Sequence, residues 1–224
     1  MDRLGIGEAL TYHAEARWHS PDYGNALLLT DIASEPRLHP CWVLTPPETA
    51  GKVTSAHLVE TMIQRGVGAV RVFPREHRFS ISEWCLGPLA AALEAAGAPL
   101  FVDFGRRHWG EDIVPWDEVD GLCQAHPELP VVLVHESFGS LHYLFALMSR
   151  HPRLMIETSY FVPHQGLEEV CSRFGAERLL FGTSMPMWDG GAPLGNVVMS
   201  TVSAEDKRRI AGDNLRRLLA EAQG

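Results

Sequence analysis

The chain has 224 residues, 46% of them hydrophobic and 21% charged, with a formal charge of −9 at pH 7. That balance suits a folded core rather than a disordered chain. An acidic surface with no cluster of Lys and Arg makes nucleic acid and anionic membranes poor partners.

No apolar run reaches the roughly 20 residues of a membrane span, and the N-terminus lacks the charged-then-apolar order of a signal peptide. Cys41, Cys85, Cys123 and Cys171 form no C-x-x-C pair and sit in apolar patterns, as buried thiols of a reducing compartment do. A cytoplasmic protein is expected. No linker or low-complexity stretch divides it, so residues 1–224 read as one domain.

In chain order, Met1–Ile6 reads as the tail of a helix with Gly5 at its C-cap. Ala9–Tyr12 then forms a short apolar run that stops at His13. Cys41–Leu44 stops at Thr45. Thr54 or Ser55 caps a helix through Gln64, with Gly66 as its stop. Ala69–Phe73 is a third run, interrupted by Arg71. Ser80 and Glu83 form a capping-box pattern before a helix over Trp84–Ala96. Leu100–Val102 stops at Asp103. Pro115 opens a helical turn with Asp117 and Glu118 placed to suit the dipole. Val131–Val134 stops at His135, Leu154–Ile156 at Glu157, and Leu179–Phe181 runs into Gly182, Thr183 and Ser184. Ser203 with Asp206 repeats the capping pattern, and Asp213 is placed to cap a last helix, Asn214–Ala222.

The runs are short, continuous and rich in Val, Leu and Phe, like strands covered on both faces. Strand alternates with helix, which predicts an α/β fold with parallel strands: a TIM-like (β/α) barrel of seven strands, the first strand of the usual eight missing. An open doubly wound sheet also alternates in this way, but the first turn lacks a Gly-x-Gly-x-x-Gly fingerprint.

Three segments narrow the reading. They are Gly97-Ala98-Pro99-Leu100-Phe101-Val102-Asp103-Phe104-Gly105, His126-Pro127-Glu128-Leu129-Pro130-Val131-Val132-Leu133-Val134-His135-Glu136 and Gly175-Ala176-Glu177-Arg178-Leu179-Leu180-Phe181-Gly182-Thr183-Ser184-Met185-Pro186. With the closing Gly212-Asp213-Asn214-Leu215-Arg216-Arg217-Leu218-Leu219, they resemble the amidohydrolase-related family of metal-dependent barrels across nearly the whole chain. The resemblance implies a hydrolase or decarboxylase of a small acidic substrate, with a divalent metal, zinc first, at the strand ends.

In that family the ligands are a His-x-His pair, two further histidines and an aspartate. Here His135 matches the second lone histidine, Asp103 stands where the first would be, and Ser184 stands where the aspartate would be. The His-x-His strand is not in the chain. The metal site is therefore expected to be degenerate, with His135 and Asp103 as its remaining ligands, or to hold no metal at all. A hydroxyl cannot replace a carboxylate as base or ligand. The alternative is an inactive family member that binds a ligand or a partner.

His135, Asp103 and Arg71 are the expected catalytic set. Arg71, inside an apolar strand, needs a carboxylate partner, either a substrate's or an internal one on Asp103 or Glu157. Arg106, His13, Glu157 and Ser184 are expected to contact substrate, Arg106 as a cation for an acid. Glu136 is a further strand-end carboxylate. A missing strand leaves the first and last strands with open edges, so either a partner chain or a rearranged segment covers them or the barrel is incomplete and prone to aggregate, and a homo-oligomer is expected.

Overall fold

Residues 1–50, 53–105, 114–136 and 138–222 are described by a computed structural model. Its strands are β1 (Ala9–Thr11), β2 (Leu38–Pro40), β3 (Trp42–Val43), β4 (Val70–Val72), β5 (Leu100–Asp103), β6 (Val131–Val134), β7 (Leu154–Glu157) and β8 (Leu179–Leu180). All pairings are parallel. β1 pairs with β2, while β3 to β8 form a six-stranded sheet in sequential order.

β2 and β3 are two halves of one strand. Only Cys41 separates them, and its N–H donates to the Thr11 carbonyl at 2.7 Å. The first half pairs back to β1 and the second forward to β4. Seven strand positions result, where the apolar runs mark them. The second is longer than expected: it begins at Leu38 and takes in His39.

The helices are α1 (Ala14–Trp18), α2 (Pro21–Asp31), α3 (Ser55–Gln64), α4 (Pro74–His77), α5 (Glu83–Ala95), α6 (Trp116–Ala125), α7 (Leu141–Arg150), α8 (Gly166–Phe174), α9 (Gly191–Met199), α10 (Ala204–Arg208) and α11 (Asn214–Glu221). Parallel neighbours need such crossovers, and the crossovers cover the outer face of the sheet.

Side-chain parity divides the strands into two faces. Val70, Val72, Leu100, Val102, Val131, Leu133, Leu154, Ile156 and Leu179 point outward into the main core with the helices. Cys41, Ala69, Phe101, Val132, Val134, Met155 and Leu180 point inward and form a second cluster, completed by Leu218 of α11. The same parity carries Arg71, Asp103 and Glu157 to the inner face at the C-terminal ends. The barrel interior is thus apolar at its floor and charged at its mouth.

Two helix starts and one helix end behave as expected, and two further starts do not. Thr54 accepts from the His57 N–H at 3.3 Å, and Ser203 accepts from the Asp206 N–H at 3.0 Å. Asp2–Leu4 is a single helical turn closed by Gly5 at φ 66°. Ser80 and Glu83, in contrast, form no capping box. Ser80 donates to Glu118 Oε2 at 2.6 Å, and Glu83 bonds His126 at 2.9 Å, so longer-range partners displace the local pattern. Asp213 caps nothing because the chain is already helical there: a π-helical turn, Arg209–Asp213, runs directly into α11.

Candidate active site

Four loops at the strand ends deliver the polar groups. Asp103 ends β5, His135 follows β6, Glu157 ends β7 and Ser184 lies in the loop after β8. Arg71 sits in the middle of β4. Parallel register aligns these ends on one side, which is why distant positions in sequence meet here.

They meet as a continuous string of hydrogen bonds. Arg71 Nη2 donates to Asp103 Oδ2. Asp103 Oδ1 accepts from the Gly105 N–H at 2.8 Å and lies 3.0 Å from His135 Nδ1. His135 Nε2 lies 2.8 Å from Ser184 Oγ. Ser184 Oγ is 2.9 Å from Ser159 Oγ, and Ser159 Oγ is 2.6 Å from Glu157 Oε2. Glu157 Oε1 accepts from the Ser159 N–H at 3.1 Å.

Asp103, His135 and Glu157 are buried, while Arg71 and Ser184 keep some exposure. Burial opposes ionisation of Asp103, but the Arg71 guanidinium and the hydrogen bond to His135 outweigh it and hold this carboxyl well below the usual range. Burial dominates at Glu157 and raises its pKa, with Ser159, His135 and Arg71 opposing. Burial also opposes the charge on Arg71, yet Asp103 and Tyr12 leave it more firmly protonated than usual. The guanidinium lies over the rings of Tyr12 (4.9 Å) and Phe73 (5.3 Å).

The other expected site residues fall elsewhere. His13 caps α1, accepting from the Glu15 N–H at 3.1 Å, with its Nε2 3.3 Å from Asp31, and it takes no part in the string. Glu136 is buried and accepts from Ser140 Oγ at 2.8 Å. Arg106 lies outside the described residues. Ser159 was not anticipated from sequence. Its signal was weak: a serine two positions after a strand-end carboxylate, where hydroxyl and N–H can both turn back to it.

The backbone at the site is unusual. His135 (φ 64°) and Ser184 (φ 51°) are two of the four non-glycine residues in the left-handed region among the described residues. Such conformations cost about 1–3 kcal/mol each and cluster at functional sites. An open groove of about 730 Å³ runs past the ends of β3 to β5, with Arg75, Arg78, Phe79, Trp84 and Phe104 among its walls and none of the string's residues lining it.

A divalent ion does not match these donors. Both ring nitrogens of His135 are engaged, by Asp103 and Ser184. Asp103 is shared between His135, Gly105 and Arg71. Arg71 already supplies the positive charge that a metal would bring. Among the described residues no group of three or more His, Cys, Asp or Glu could hold an ion.

A parallel barrel with its polar cluster at the C-terminal mouth is a TIM-type architecture. The amidohydrolase family model matches residues 22–220, and the chain belongs to that family. Its fold is similar to an uncharacterized TIM-barrel protein from Bordetella bronchiseptica (TM-score 0.80, 20% identity, covering 100% of this chain and 81% of that one). It is also similar to 5-carboxyvanillate decarboxylase from Sphingomonas paucimobilis (TM-score 0.75, 19% identity, 98% and 81%). A dihydroxybenzoic acid decarboxylase from Polaromonas, solved with bound manganese and the inhibitor 2-nitroresorcinol, shares the fold at TM-score 0.71 and 15% identity, over 96% and 79% of the two chains. No curated protein matches the sequence. Among the described residues no helix is long and apolar enough to cross a membrane.

Proposed function

We propose that this chain is a hydrolase or decarboxylase of a small carboxylate-bearing substrate, with His135 as the proton-transfer group, Asp103 as its orienting carboxylate and Arg71 as the charge that fixes Asp103. The observation that carries the reading is the bond pair on His135, 3.0 Å to Asp103 and 2.8 Å to Ser184. A buried imidazole held at one nitrogen by a carboxylate keeps the other for proton exchange.

Two features support an acidic substrate. Arg71 Nε is buried with no hydrogen-bond partner among the described residues, a state that costs about 1–3 kcal/mol and that an anion would relieve. The groove past β3 to β5 combines Arg75 and Arg78 with Phe79 and Trp84, a lining suited to a flat acid. Arg106 is assigned to the same task, and Glu157 and Ser184 to substrate contact at the mouth. His13 is a rim contact at most, since its ring is committed to the α1 cap.

Manganese in the Polaromonas relative's structure supports a divalent ion for that protein. Zinc or another ion here would have to displace the Arg71–Asp103–His135 bonds, so the chemistry is assigned to side chains. The four free thiols support a cytoplasmic setting. A homo-oligomer is supported by β1, which has a strand partner on one edge only among the described residues.

The test is a panel of aryl carboxylic acids followed by CO₂ release, and of esters and lactones of small acids followed by acid release, each beside a neutral analogue. Metal content is measured on the same sample. Turnover confined to anionic substrates, lost by about 10²-fold or more in His135→Gln, is expected. Saturable binding without turnover would move the protein to the ligand-binding reading.

A further inference from the structure

We infer that Ser184 is a nucleophile, activated by His135 and Asp103, and that the chain hydrolyses carboxylic esters or lactones through an acyl-serine. This rests on the hydrolytic half of the function proposed above and deepens it.

The argument begins at Asp103. An ionised carboxylate only accepts hydrogen bonds, so the 3.0 Å contact from Asp103 Oδ1 to His135 Nδ1 places a proton on Nδ1. In the neutral ring Nε2 then carries the lone pair, and the atom facing it at 2.8 Å is Ser184 Oγ. These are the distances and roles of a Ser–His–Asp relay, which is recognised by geometry and not by fold or chain order. The exposure gradient agrees: acid and base are buried, while the hydroxyl keeps some exposure. The conformation agrees as well, since Ser184 is held at φ 51° in the turn after β8, a position that no glycine relaxes.

One competing bond must be placed. Ser184 Oγ also touches Ser159 Oγ at 2.9 Å. A hydroxyl donates once. Ser159 Oγ donates to Glu157 Oε2 at 2.6 Å, so the Ser184 proton has two acceptors in reach, Ser159 Oγ and His135 Nε2, and the shorter contact is the one to His135.

The steps balance. Ser184 Oγ forms a bond to the acyl carbon as its proton passes to His135 Nε2. The ester C–O bond breaks and the leaving oxygen takes that proton, releasing the alcohol. Water next attacks the acyl carbon and gives a proton to Nε2. The bond to Ser184 breaks, the carboxylic acid departs and Ser184 Oγ recovers the proton. Water is the only co-reactant.

The probe is diisopropyl fluorophosphate on the full-length protein, read by intact mass and peptide mapping. One diisopropylphosphoryl group on the peptide containing Ser184 is expected. It should be lost in Ser184→Ala and kept in the surface control Ser172→Ala, with far-UV circular dichroism confirming both folds. No adduct on Ser184 in the wild-type chain overturns the proposal. If esters are hydrolysed while Ser184→Ala keeps the rate, the nucleophile is wrong and the hydrolase reading stands. If the adduct forms but no acidic substrate is turned over, the nucleophile stands and the substrate class fails.

Discussion

Arg71 and Asp103 carry opposite charges at the barrel mouth with little water around either. Removing one partner of such a pair costs about 3–5 kcal/mol, because the other charge is left buried. Asp103→Asn should lose that amount in urea unfolding, and a loss under about 1 kcal/mol would mean that the pair is not buried as described. The folded pKa of Asp103 lies below its ordinary 3.8, so its stabilisation is complete above that pH and lost only as pH falls through the lower folded value. Glu157 has the opposite sign. Its pKa is raised above 4.5, so its contribution is present below 4.5 and lost as pH rises through the folded value. Ionised Glu157 would draw the Ser159 proton, and with it the Ser184 proton, away from His135. Activity should therefore fall on the alkaline side of that transition, with the Ser159 hydrogen bonds and the Arg71 charge opposing the rise. Glu157→Gln, which donates at every pH, should remove this limb from the pH–rate profile.

Elements matter here mainly through how they end. The turn after β8 leaves no room at Gly182: a Cβ there would sit 1.2 Å from Glu157 Oε1 and 2.2 Å from its Cδ. The carboxylate thus lies in space that only glycine leaves open. Gly182→Ala should destabilise the chain by about 1–3 kcal/mol, as overpacking does, and should also lower activity by displacing Glu157 from Ser159. A thermal melt with a parallel assay checks both, and unchanged activity would separate Glu157 from the string. The failed capping box at Ser80 teaches the complementary lesson. Ser80 and Glu83 had the right spacing, but Glu118 of α6 and His126 just past its end offered partners, and the local motif lost.

Across the whole molecule, the C-terminal segment packs against the outer edge of β8 and the start of β1 among the described residues. The Phe181 N–H, just past β8, donates to the Ile210 carbonyl at 2.9 Å, so the π-helical turn occupies a bond that another strand would take. Leu218 of α11 enters the inner apolar cluster, fully buried. Arg216 reaches Glu8, just before β1, at 3.4 Å. One segment thereby caps the edge of β8 and reaches the residue before β1, while the second edge of β1 has no strand partner among the described residues. Leu218→Ala should cost about 2–5 kcal/mol, measured by urea unfolding, and a cost typical of a surface leucine would place α11 outside the core. Light scattering tests the proposed oligomer: a dimer or larger species is expected, and a monomer at assay concentration would show that this segment closes the barrel alone.

Periodicity and composition were enough to establish the α/β class, the seven strand positions and the residues at their ends. Those depend on which runs are apolar and where each stops, and both are local properties of the chain. The resemblance of the segments around Asp103, His135 and Ser184 was legible for the same reason. What tertiary structure alone decided is which strand-end groups bond to one another. Arg71 had two possible carboxylates and took Asp103. His13 turned back to cap its own helix. Ser159 joined the string from a 3-10 turn after β7 that no pattern marked. Such pairings depend on parallel register and inward parity, which bring positions up to 49 residues apart within 3 Å. Sequence spacing carries no record of that distance, so a position that looked like a lost metal ligand became, once folded, the hydroxyl facing an oriented imidazole.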